Sequence, residues 1–104
     1  MKRIDEAAGT AALEQFVRES DATDSPQVDY ALAVRYGLQL LRDRAPGASV
    51  EVRVPPFGAA QAIEGPAHTR GTPPAVIEME PLTWLQLVTG GLQYDQAVAS
   101  GAVR

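Results

Sequence analysis

Small and apolar residues open the chain at helical spacing: Ile4, Ala8, Ala11, Ala12 and Phe16 share a face, with Glu14, Gln15 and Arg18 largely on the other side. Gly9 and Thr10 weaken this predicted helix. The polar run ESDATDSP follows and reads as a connection. A second helix is predicted to begin there, with Ser25 as cap and Pro26 where a missing N–H costs nothing. Its stripe is Ala31, Val34, Leu38 and Leu41, widened by Tyr30, Ala33 and Leu40. Arg42 and Arg44 complement the dipole in the last turn, and Pro46-Gly47 stops it.

Beyond Pro46 the period becomes two. In SVEVRVPP, Val50, Val52 and Val54 alternate with Glu51 and Arg53, the pattern of a strand with one buried face. Pro55-Pro56 ends its ladder, because proline donates no hydrogen bond. Phe57-Gly58 turns the chain into AAQAIEG, so the two strands are predicted as a hairpin. In AVIEME, a third strand, Ala75, Ile77 and Met79 face one way and Glu78 and Glu80 the other. Pro81 opens a short helix with Trp84, Leu85 and Val88 on its buried side, ended by Gly90-Gly91. A last helix, YDQAVASG, is predicted to bury Ala97 and Val98, and AVR starts a fourth strand. These elements predict one α+β domain over residues 1–104, with a helical part (1–46) and a sheet part with two C-terminal helices (47–104). The sheet is expected to be mainly antiparallel, with helices covering one face.

Composition removes several function classes. At 104 residues there is room for one modest core. A net charge of −4, with no basic cluster, argues against a nucleic-acid partner. No apolar run approaches the roughly 20 residues of a membrane span, and MKRIDEAAGT lacks the apolar centre of a signal peptide, so a cytoplasmic location is expected. With no cysteine and one histidine, disulfides, thiolate chemistry and multi-histidine metal sites are excluded, and no metal or cofactor is expected.

Candidate chemistry gathers in EGPAHTRGTPPAV. His68 can trade a proton near neutrality, Arg70 can hold a carboxylate with two parallel hydrogen bonds, and flanking prolines would hold both rigid. Catalysis needs a third group to orient the histidine, and none is identified by the sequence. The plainer reading is a stiff connector, with Arg70 paired to Glu64 or Glu78 and His68 on a backbone carbonyl. Glu78 and Glu80 share one side of a strand, as an acid–base pair would, and as a solvated outer face also would. The apolar residues of strands and helices form a packed core in the simplest reading. The second strand supplies only small surfaces opposite Trp84, which in the other reading leaves room beside Met79 for an apolar ligand.

Two segments carry a family resemblance. VEVRVPPFGAAQAIEGPAHTRGTPPAV resembles the bacterial sterol-carrier-protein orthologue family, small actinobacterial members of the sterol carrier protein type 2 superfamily, nearly residue by residue. PLTWLQLVTGGLQYDQAVASGAV is similar to that superfamily's ending, in the same order. The resemblance covers roughly the last 56 residues; the helices before Ser49 match in kind only. It implies a five-stranded sheet, one strand more than the pattern yields, covered by helices around an apolar tunnel for fatty acyl chains or sterols. It implies no catalytic machinery. Family members usually continue past the position of Arg104, and Glu80 and Gln93 stand where better helix caps are usual.

The expected function is therefore lipid carriage without catalysis. The expected ligand-binding residues are Val52, Val54, Ile63, Ile77, Met79, Trp84, Leu85 and Val88, with His68 and Arg70 as a polar rim. One alternative is an interaction domain with a filled core, forming a homodimer through an exposed apolar strip. Another is an accessory domain or small enzyme similar to the C-terminal domain of mycothiol-dependent maleylpyruvate isomerases, using His68 and Arg70.

Overall fold

The computed structural model describes residues 2–19, 27–65 and 75–104. Helix α1 spans Glu6–Arg18 and starts at Asp5, whose carboxylate accepts the Ala8 N–H. Its buried residues are Gly9, Ala12 and Phe16, while Ala8 and Ala11 are exposed, so the inward face is rotated from the predicted one. The cause is the neighbouring helix, α2 (Tyr30–Arg44). The Tyr36 ring lies against Gly9 so closely that a Cβ there would fall 2.2 Å from it. Closest approach, and not the count of alanines, selects the buried face. Phe16 meets Tyr30 edge to face at 6.4 Å at the other end of the pair.

Helix α2 begins four residues later than the sequence pattern suggested. Asp29 caps it by accepting the Leu32 N–H at 3.0 Å, and Gln27 and Val28 form a turn before it. The expected cap, Ser25, and Pro26 lie outside the described residues. Ala33, Val34, Tyr36, Gly37, Leu38 and Gln39 are all buried, more than half the circumference, because α2 is covered on several sides.

Strand β1 (Val50–Val54) and strand β2 (Gly58–Ala62) form the predicted hairpin, Val50 opposite Ala62 and Val54 opposite Gly58. The turn holds a cis Pro55–Pro56 bond, and the Phe57 N–H reaches the Val54 carbonyl at 3.0 Å. Strand β3 (Ala75–Glu78) pairs with the other edge of β1 in parallel, from Val50–Ala75 to Arg53–Glu78. The described sheet is thus mixed and three-stranded, in the order β2-β1-β3, which corrects the expected mainly antiparallel arrangement; four to five strands are not seen among the described residues. β2 ends and β3 begins at the same end of β1. β3 then runs in β1's direction, and residues 66–74 between the two strands lie outside the described residues. The expected fourth strand appears as a short pairing. Val103 bridges Met79 antiparallel, and Glu78 and Arg104 exchange backbone hydrogen bonds of 2.8 and 2.9 Å.

Helix α3 (Pro81–Val88) buries Trp84 and Leu85, as its pattern indicates. Helix α4 (Tyr94–Ala99) buries only Ala97; Val98, expected inside, is 48% exposed. The inner face of the sheet, with Val52, Val54, Ala60 and Ala62, is buried, and Glu51, Arg53, Gln61 and Glu78 occupy the outer face. That outer face is laced by Arg53–Glu51 and Arg104–Glu78 ion pairs of 2.9 and 3.3 Å.

A second close approach involves Gly37 on α2. A Cβ there would lie 2.8 Å from the Trp84 indole nitrogen and 3.2 Å from a Val88 methyl. Replacing an exposed helical glycine by alanine normally stabilises by about 1 kcal/mol. Here Gly9→Ala and Gly37→Ala are each expected to destabilise by about 1–3 kcal/mol through overpacking. Urea unfolding measures the sign directly, and a gain in stability for either would refute the close packing.

Candidate functional site

Five of the eight residues expected to line a ligand site are buried together on the inner side of the sheet. Val52 and Val54 project from β1, Met79 follows β3, and Trp84 and Leu85 come down from α3. Ile77 and Val88 pack against this cluster and are partly buried. Ile63 does not join it. Just past β2 its backbone turns to φ 66° and its side chain is 46% exposed. The backbone there is spent on tying the strand ends together. Ile63 N–H donates to the Ala45 carbonyl at 2.7 Å, and its own carbonyl accepts from the Ser49 N–H and hydroxyl. His68 and Arg70, the expected polar rim, lie outside the described residues.

The residues that the sequence pattern passed over come from α2. The small residues of β2 opposite Trp84 fit either a packed core or room for an apolar ligand, and α2 lies over them: Leu38 is 2% exposed, and one of its methyls would stand 3.5 Å from a Cβ on Gly58. Trp84 sits in the Gly37 notch, and its indole N–H donates to the Val34 carbonyl at 3.2 Å. Small side chains on the sheet and helix bring the two closer together, so side chains fill the space. Gly37, in the middle of an apolar helical stripe, was the available signal for this approach.

The interior offers little to chemistry. Its polar group is the indole N–H, already bonded, and no buried side-chain nitrogen or oxygen among the described residues is left without a partner. No cluster of three histidine, cysteine or acidic residues suited to a metal occurs among the described residues.

Three open concavities formed by described residues lie elsewhere, around residues 2–6. One groove of about 800 Å³ runs between that segment, α1 and α2, lined by Ile4, Glu6, Thr10, Leu13, Tyr36, Leu40, Asp43 and Arg44, among others. Two smaller ones, of about 580 and 570 Å³, adjoin it. None of the three is lined by the sheet–helix cluster. The segment is clasped to α2 at two points. The buried Gln39 amide accepts from Ile4 N–H at 2.8 Å and donates to Ile4 carbonyl at 3.0 Å. Arg3 donates to both carboxylate oxygens of Asp43, at 3.1 and 2.6 Å.

That ion pair perturbs both partners. Hydrogen bonds from the Arg3 guanidinium hold the Asp43 carboxyl below the usual carboxylate range, and the same bond raises Arg3. Because the folded value of Asp43 is depressed, the clasp contributes fully above the ordinary aspartate pKa and is lost as pH falls through the lowered one. Carboxyl-carbon NMR should find Asp43 titrating below the ordinary aspartate range, and Arg3→Ala should return it to that range. An unshifted Asp43 in the parent protein would show that the pair does not form in solution.

Comparison with known proteins adds one positive finding. A family model described as bacterial SCP ortholog matches residues 26–104. The match takes in α2, the sheet and both C-terminal helices, and begins some way before the stretch in which the likeness is plain by eye. No curated protein matches the chain. Among the described residues, no helix is long and apolar enough to cross a membrane.

Proposed function

We propose a function from one premise: this chain belongs to the bacterial SCP ortholog family. It is a sterol-carrier-like domain, and in our reading it takes up an apolar ligand, an acyl chain or a sterol-like molecule, between the sheet and the helices without acting on it chemically. The observation that supports this is the character of the enclosed interior. Val52, Val54, Met79, Trp84 and Leu85 surround one another there, and the one polar group among them, the indole N–H, is already bonded to α2. Such an interior rewards burial of hydrocarbon at about 0.8 kcal/mol per methylene and has no spare polar group to recognise a headgroup. His68 and Arg70 are the residues we assign to a headgroup, at the rim.

Side chains pack closely in this interior, so in our reading a ligand enters by displacing them. Trp84 is the side chain we expect to move, since α3 lies against α2 through it. A second reading, an interaction domain that forms a homodimer, is favoured by a different observation. Tyr94 and Val98, four residues apart on α4, are 49% and 48% exposed, and Val76 on β3 is 45% exposed.

Native mass spectrometry of protein from its own host, with Trp84 fluorescence during titration with oleate, separates the two. Carriage predicts a retained lipid and a saturable change in emission that Leu85→Phe, which fills the interior further, weakens at least tenfold. A lipid-free dimer with unchanged emission would sink carriage and leave the interaction domain.

A further inference from the structure

Helices α1 and α2 run antiparallel: Arg3 meets Asp43, Ile4 meets Gln39, Gly9 meets Tyr36, and Phe16 meets Tyr30. The groove between them is therefore graded from end to end. Glu6 opens α1 and Arg44 closes α2, so both lie at one end. Leu13, from the next turns of α1, and Tyr36, from two turns back on α2, lie at the other, with Leu40 between. At 1.5 Å per residue, the eight steps along α2 from Tyr36 to Arg44 make the groove roughly 12 Å long. One end is charged and the other is apolar.

Free binding capacity is concentrated in a few groups. Asp43 is saturated by Arg3, and Asp5 is spent on capping α1. Glu6 and Arg44 make no hydrogen bond or ion pair among the described residues, so beside the Arg3–Asp43 pair the charged end carries two carboxylates without a cationic partner, Asp5 and Glu6, and one guanidinium without an anionic one, Arg44. Tyr36 is only 5% exposed and lies close enough to Arg3 to act on it electrostatically; its hydroxyl makes no hydrogen bond among the described residues, yet no fully buried polar atom is left unsatisfied. Its hydroxyl must therefore reach the surface, and the surface that Tyr36 lines is this groove. The walls are preorganised as well, since the Gln39 amide and the Arg3–Asp43 pair hold the N-terminal segment in place.

We propose that the groove between α1, α2 and the N-terminal segment is a second binding site, for a small zwitterion with an apolar side chain, of the size of an aromatic amino acid. Its carboxylate meets Arg44, its ammonium meets Glu6, and its side chain lies along Leu40 and Leu13 to the Tyr36 hydroxyl. A volume of about 800 Å³ is ample for such a molecule. The site is independent of lipid carriage: the sheet–helix cluster contributes nothing to it, and one of its two walls, α1, lies outside the family match.

Titration of ¹⁵N-labelled full-length protein with L-phenylalanine, followed by amide chemical shifts, tests this. Saturable shifts are expected in residues 3–13 and 36–44. Phenylacetate and phenethylamine, each lacking one charge, should bind at least tenfold more weakly. Glu6→Gln and Arg44→Gln, both at exposed positions, should each weaken L-phenylalanine about tenfold without altering the remaining spectrum. The site is refuted by no saturable shift at about 10 mM ligand, or by shifts confined to the sheet–helix cluster. Equal binding of all three probes would refute the zwitterion and reduce the groove to an apolar contact.

Discussion

The close approach of α2 to its neighbours organises this protein. Two glycines make it possible. Gly9 lets the Tyr36 ring lie against α1, and Gly37 admits the Trp84 indole and Val88 from α3. Neither contact survives an added Cβ without movement. Small residues at helix contacts trade side-chain area for shorter distances, and the gain is dense dispersion contact around each aromatic ring. Because β2 carries glycine and alanine on its inner face, Leu38 of α2 reaches van der Waals distance of the sheet there, less tightly than at either helical glycine.

The same compactness shapes the functional reading. A carrier domain needs an apolar interior, and this chain has one, closely packed by its own side chains. Trp84 is central because it serves two surfaces: it closes the interior, and it ties α3 to α2 through the Val34 carbonyl. Ligand uptake would have to give up that bond and the Gly37 contact, so affinity would reflect the difference between hydrocarbon burial and the loss of existing packing. On the far side of α2, polar clasps replace packing. Gln39 and Asp43 fix the N-terminal segment by hydrogen bonds and charge, and an open groove remains beside it.

Much of this was readable from residue order. The two-residue period of Val50, Val52 and Val54, the Pro55-Pro56 turn and the apolar side of PLTWLQLV each placed an element correctly, because each depends on contacts close in sequence. Readings that failed depended on distant partners. Val98 looked buried by spacing, yet α4 packs through Ala97 alone. Ile63 looked like a pocket residue, yet its backbone serves to join Ala45 and Ser49, and its side chain is left outside. Ala8 and Ala11 looked like a packing face, yet Tyr36 selected the face carrying Gly9.

By itself the sequence determined the class of the fold, the order of its helices and strands, and the family to which the chain belongs, since local periodicity and motif order encode all three. Tertiary structure alone decided that β3 runs parallel to β1, because a strand's direction depends on where its connection crosses and not on its own residues. It also decided that the alanines and glycine of β2 lie under α2, because a small side chain states that something comes near without saying what. The groove beside α1 belongs to that second kind of information: its lining residues are scattered over forty positions, and only the antiparallel packing of two helices brings them to one place.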